Sequence, residues 1–68
     1  MIIILNGDNK QLDSGTTIEQ LLQILGLSDK RLAIEINEQI IPRGDFNNHS
    51  LHESDKVEIV QAIGGGSH

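Results

Sequence analysis

Thr16-Thr17-Ile18-Glu19-Gln20-Leu21-Leu22-Gln23-Ile24-Leu25-Gly26 is the stretch on which the fold turns. Ile18, Leu21, Leu22 and Leu25 recur at i, i+3, i+4 and i+7, so a helix gathers them on one apolar stripe. Thr16 with Glu19 three residues on fits a capping box, in which each side chain accepts the other residue's backbone N–H. Gly26 stands where a left-handed C-terminal cap is wanted, and Leu27 follows to pack back on the helix. A lone amphipathic helix must bury its stripe against another element, and the flanking segments read as strands.

Upstream, Ser14-Gly15 breaks a short polar strand formed by Lys10 to Asp13. Before it, Asn6-Gly7-Asp8-Asn9 carries the Asn-Gly signal of a tight turn. Ile2 to Leu5 is a continuous β-branched run, the pattern of a strand buried on both faces. Downstream, Ser28 to Arg31 connects to a third strand, Leu32 to Ile36. Asn37-Glu38-Gln39 is a turn, and Ile40-Ile41 is a short strand stopped by Pro42, which sheets accept only at edges and strand ends. Arg43 to Glu53 is polar and irregular, with a short helical turn pinned by Phe46 or Leu51. Val57 to Ile63 is a long β-branched strand.

The order β-β-α-β-β-β around one helix gives a two-layer α+β domain. The expected architecture is a mixed sheet of four to five strands with one main helix on one face. The two most apolar strands, the first and the last, belong at its centre. This is the β-grasp, or ubiquitin-like, arrangement, with residues 1–63 as the domain and 64–68 as a flexible tail.

A chain of 68 residues is near the lower limit for one compact domain and leaves little room for an enclosed active site. It has no cysteine, which removes disulfides and thiolate metal sites. Phe46 is the sole aromatic side chain, so there is no stacking platform for nucleic acid. Ten acidic residues against five basic ones leave a net charge of −5, the wrong sign for binding a phosphate backbone. That charge serves solubility, or steers the chain towards a basic patch on a protein partner. Met1 to Leu5 is too short for a signal-peptide core, and no apolar run approaches the ~20 residues of a membrane helix. The expectation is a soluble, cytoplasmic carrier or binding module rather than an enzyme.

The last strand leads into Gly64-Gly65-Gly66, followed by Ser67 and His68. Consecutive glycines carry the largest backbone entropy and offer nothing to bury, so the segment is a tether and not a packed element. Composition leaves two readings open, a passive linker or a side-chain-free tail able to thread a narrow channel in a partner.

Ala33-Ile34-Glu35-Ile36-Asn37-Glu38-Gln39-Ile40-Ile41-Pro42-Arg43, the strand Asp55 to Ile63 with its glycines, and the opening strand with Asn6-Gly7 together resemble the ThiS family of sulfur carriers. The resemblance runs along essentially the whole chain, and its specific parts are the Pro42-Arg43 stretch and the tail. It implies that a ThiF-type activating enzyme uses ATP to adenylate the carboxylate of Gly66. Sulfur mobilised by a cysteine desulfurase then displaces AMP, and the resulting thiocarboxylate serves a ThiG-type thiazole synthase in thiamin biosynthesis. On this reading Gly64 and Gly65 thread the partner's tunnel, Arg43 is a partner contact, and the chain holds no cofactor or metal itself. Family members usually end at the glycine pair. Ser67 and His68 are therefore either a remnant foreign to the native chain or a native extension that must be cleaved off before Gly66 has a free carboxylate.

Two alternative functions remain beside it. The sulfur could feed another product, such as molybdopterin or a sulfur-containing metabolite, or the chain could be a β-grasp interaction module with a passive tail. His49 and His52, spaced i, i+3, could share one face of a helical turn, but a structural metal site needs further ligands. Arg43 could pair with Asp45, Phe46 reads as a core plug, and Ser67-His68 lacks the orienting third group a hydrolase requires.

Overall fold

The computed structural model describes residues 1–61. The chain runs β1 (Ile2–Leu5), β2 (Asp8–Gln11), α1 (Ile18–Leu25), β3 (Leu32–Ile36), β4 (Gln39–Ile41), a 3-10 turn (Arg43–Asp45) and β5 (Lys56–Gln61). The strands form one sheet in the order β2-β1-β5-β3-β4. β1 and β5 run parallel, pairing Ile4 with Lys56 and Leu5 with Val57, and the other neighbours are antiparallel. The mixed five-stranded sheet with one helix is the expected β-grasp, with β5 at its middle and β1 beside it.

Both hairpins close on two residues whose left-handed backbones suit the twist of the flanking strands. Asn6 and Gly7 have φ of 49° and 88°, and Asn37 and Glu38 have φ of 52° and 72°. The first turn is therefore tighter than the four-residue Asn6 to Asn9 segment. β2 begins at Asp8, two residues before its expected start.

α1 lays Ile18, Leu21 and Leu22 on Ile3, Ile34, Ile36 and Val57, and Leu12, Phe46 and Leu51 close the core. Seven of these side chains, Leu22 and Val57 among them, are fully buried. Burying a side chain of this kind stabilises by about 1.5–3 kcal/mol, which is how a chain without disulfides holds together. Phe46 is a core plug, as its solitary aromatic character suggested. β1 departs from expectation. The helix covers one face of the sheet only, so Ile3 is sealed while Ile2 on the opposite face is 43% exposed. A continuous apolar run does not reveal how many of its faces are covered.

The helix start also differs by one residue. The N-cap is Thr17, whose Oγ1 accepts from the Gln20 N–H at 3.2 Å while Gln20 Oε1 accepts from the Thr17 N–H at 2.9 Å. The two N–H groups ahead of Gln20 are met from the long loop: Ile18 donates to the His49 carbonyl and Glu19 to the Phe46 carbonyl, each at 3.1 Å. Thr16 is buried, its hydroxyl donating to the Asp13 carbonyl at 2.7 Å, and is not free to cap. Thr17→Ala is expected to lose about 1 kcal/mol of stability in urea denaturation, whereas Glu19→Ala stays within about 0.5 kcal/mol. At the far end Gly26 is left-handed at φ 74°, and the Leu27 N–H donates to the Leu22 carbonyl at 2.8 Å. No helix among the described residues is long and apolar enough to cross a membrane.

Candidate functional site

The tail residues Gly64, Gly65, Gly66, Ser67 and His68, and the last two residues of the expected domain, lie outside the described residues. What the structure shows is the ground from which they leave. β5 is the sheet's middle strand, paired with β1 at its start, Lys56 and Val57, and with β3 along its length to Gln61.

Asparagines from the two hairpin turns reach onto β5. Asn37 Oδ1 accepts from the Lys56 N–H at 2.9 Å, and its own N–H donates to the Lys56 carbonyl at 2.8 Å. Its Nδ2 donates to Asp55 Oδ1 at 3.0 Å, and Asp55 Oδ2 accepts from the His52 N–H at 2.8 Å. Asp55 is buried at 9% exposure, and its carboxylate is held by these two donors at the entrance to β5. On the other side, Asn6 Oδ1 accepts from the Ile59 N–H at 2.8 Å and Asn6 Nδ2 donates to the Ile59 carbonyl at 3.3 Å. Sequence reasoning placed both asparagines in turns but did not foresee that their side chains bind a distant strand. Asp55 was missed as a buried hub. Its only local signal is an acceptor three residues after a free N–H, a pattern common to many turns.

Arg43 lies on the opposite edge, at the start of the 3-10 turn. Its Nη2 donates to the Lys30 carbonyl at 2.7 Å, and its guanidinium sits over the Phe46 ring at 5.4 Å from the centroid. The expected partner Asp45 is not in ion-pair reach of it. The motif arginine thus ties the connector after α1 to the loop after β4. Arg43→Ala is expected to lower stability by about 1 kcal/mol in thermal denaturation, the sum of an exposed cation–π contact and one modest hydrogen bond. Arg43→Lys is expected to recover less than half of that, because an ammonium neither stacks nor forks in the same way.

His49 and His52 do not share a helical turn, since the 3-10 segment ends at Asp45 and the two flank Ser50, which bridges to Thr17. The His52 ring Nδ1 is 4.0 Å from Asp55 Oδ2.

The uncovered sheet face follows from the register. Ile40 pairs with Glu35, Glu35 with Glu58, and Ala33 with Val60, so alternation puts all of them on the side away from α1. Ile40 and Val60 are 72% and 61% exposed there. The face therefore mixes exposed aliphatic groups with a pair of directly opposed glutamates, and Lys56 Nζ lies 3.9 Å from one of them, Glu58. This mixture suits a protein partner better than a small ligand, which prefers a concave apolar site.

Among families of known proteins, residues 3–66 match the ThiS family. The sulfur carrier protein ThiS of Escherichia coli is 33% identical over 66 residues, a span covering 97% of this chain and all of that protein. A thiazole synthase of Magnetococcus marinus is 41% identical over the full 68 residues, yet this chain spans only 21% of its length. Among solved structures, the crystal structure of a thiamine biosynthesis protein (ThiS) from Geobacter metallireducens superposes with a TM-score of 0.82 at 25% identity. That superposition covers 97% of this chain and all of the other.

Proposed function

Because the chain belongs to the ThiS family, we propose that it is a sulfur carrier for thiamin biosynthesis, acting in the cytoplasm through a thiocarboxylate on Gly66. The observation that carries this reading is the end-to-end match to a sulfur carrier protein, with a family match that reaches Gly66 itself. A carboxylate is a poor acceptor until one of its oxygens becomes part of a leaving group. In the proposed sequence a Gly66 oxygen attacks the α-phosphorus of ATP, a P–O bond forms, and pyrophosphate departs. The outer sulfur of a persulfide formed by a cysteine desulfurase then attacks the acyl carbon, the C–O bond to AMP breaks, and a thiol reductant cleaves the resulting acyl disulfide to leave the thiocarboxylate. The ATP site and the catalytic groups belong to a ThiF-type enzyme. This chain contributes the carboxylate, the glycines that precede it and a docking surface, and is not itself an enzyme.

The match of this chain to a 21% segment of a thiazole synthase supports a ThiG-type enzyme as the acceptor. Arg43, exposed beside the Lys30 carbonyl, is the proposed partner contact outside the tail. The reading is tested by incubating the chain ended at Gly66 with a ThiF-type enzyme, ATP and a sulfur source. Exchange of one oxygen for sulfur adds about 16 Da to the intact mass. No gain, with the activating enzyme shown to be active on its own carrier, would overturn it.

A further inference from the structure

β1 ends at Leu5, but its pairing with β5 does not. Along this parallel seam the Ile4 N–H donates to the Asp55 carbonyl and the Asn6 N–H to the Val57 carbonyl, each at 2.8 Å. The next rung, at Ile59, is made by a side chain. The Asn6 carboxamide takes the Ile59 N–H and gives a hydrogen bond back to the Ile59 carbonyl, as a further residue of β1 would. It can do so because the left-handed backbone of Asn6, at φ 49°, turns the main chain away while the side chain continues along the strand. Beyond Ile59 the described part of β5 consists of Val60 and Gln61, held through Ala33 and Leu32 of β3 alone.

We propose that Asn6 is a positioning residue for the tail: among the described residues its carboxamide supplies the last grip on the β1 side of β5, and so fixes the course of the strand at Ile59, from which the chain continues to Gly64. Resting on the carrier reading above, this gives the chain its own contribution to placing the reacting carboxylate. An activating enzyme that grips the folded domain then meets a strand whose course is already fixed at Ile59. Small misplacements of a reacting group cost much in rate, and a swinging strand end would spend most of its time off line.

Asn37 supplies a matched control. It is also an asparagine in a two-residue turn with positive φ, and it also binds β5 through its carboxamide, but at Lys56, the strand's beginning. Glycine at either position keeps the turn and removes the clasp. In the chain ended at Gly66, both Asn6→Gly and Asn37→Gly are expected to lower global stability. Asn6→Gly alone is expected to speed amide exchange at Ile59 by roughly fivefold beyond the global change, the equivalent of one modest hydrogen bond. It is also expected to lower kcat for thiocarboxylation about tenfold while KM for the carrier stays within about twofold. If the two variants match in Ile59 exchange and in kcat, the positioning role is overturned and the carrier reading stands. If the unsubstituted chain takes up no sulfur at all, both fall together.

Discussion

A chain ending at Gly66 is expected to take up sulfur, and the same chain extended by Ser67 and His68 is expected to take up none. The difference is absolute in kind. In the extended chain the Gly66 carbonyl belongs to a peptide bond, whose nitrogen lone pair is delocalised into it, and there is no carboxylate oxygen to attack phosphorus. The terminal carboxylate is then two residues further out, on His68. An imidazole side chain would have to pass where glycines pass, and the carboxylate would overshoot the α-phosphate. Intact-mass spectrometry after incubation with a ThiF-type enzyme, ATP and a sulfur source reads the result directly. A gain of about 16 Da belongs to the shorter chain only. Equal uptake by both would show that the reacting group is not the Gly66 carboxylate. Adding a protease that removes Ser67 and His68 is expected to restore uptake to the longer chain.

The second large effect concerns stability. Leu22→Ala removes a fully buried side chain at the centre of the stripe that α1 lays on the sheet. Such truncations cost about 2–5 kcal/mol, the transfer of the lost atoms plus the cavity they leave. A domain of this size has a total stability of only about 3–10 kcal/mol, by the usual range per residue. The variant is therefore expected to be substantially unfolded at physiological temperature, with a urea midpoint far below that of the parent. Ile24→Ala, on the same helix but 59% exposed, is expected to stay within about 0.5 kcal/mol. If Ile24→Ala cost as much as Leu22→Ala, the orientation of the helix on the sheet would be wrong.

Most of the architecture was legible because each signal was local. The stripe in α1, the left-handed glycine after it, the Asn-Gly turn and the stop at Pro42 each follow from a few neighbouring residues. The failures share a different origin. Thr16-x-x-Glu19 and Thr17-x-x-Gln20 satisfy the same capping pattern, and what decides between them is a loop some thirty residues away whose carbonyls take the Ile18 and Glu19 N–H groups. β1 looked two-faced because its composition says nothing of how many layers the chain can build, and one short helix covers only one face. Asn6, Asn37 and Asp55 work through pairing with β5 that no neighbouring residue announces. The Arg43 partner expected at Asp45 is instead the Lys30 carbonyl, thirteen residues back, together with the Phe46 ring one residue beyond Asp45. The proposed reactive end rests on resemblance, since three glycines and a serine describe a linker equally well.

The strand that fills the middle of the sheet is the last of the described strands in chain order. A ribosome that has released β1 to β4 has delivered two hairpins and a helix, but no backbone pairing yet joins the hairpins, because they meet in the sheet only through β5 and otherwise share only the side chains of α1. Pairing between the first and last strands also spans nearly the whole chain, the kind of closure that comes late in folding. A product cut short before Gln61 therefore lacks the keystone of its own domain and is left to proteases. A chain that has closed this sheet has, by its topology, been translated at least through β5.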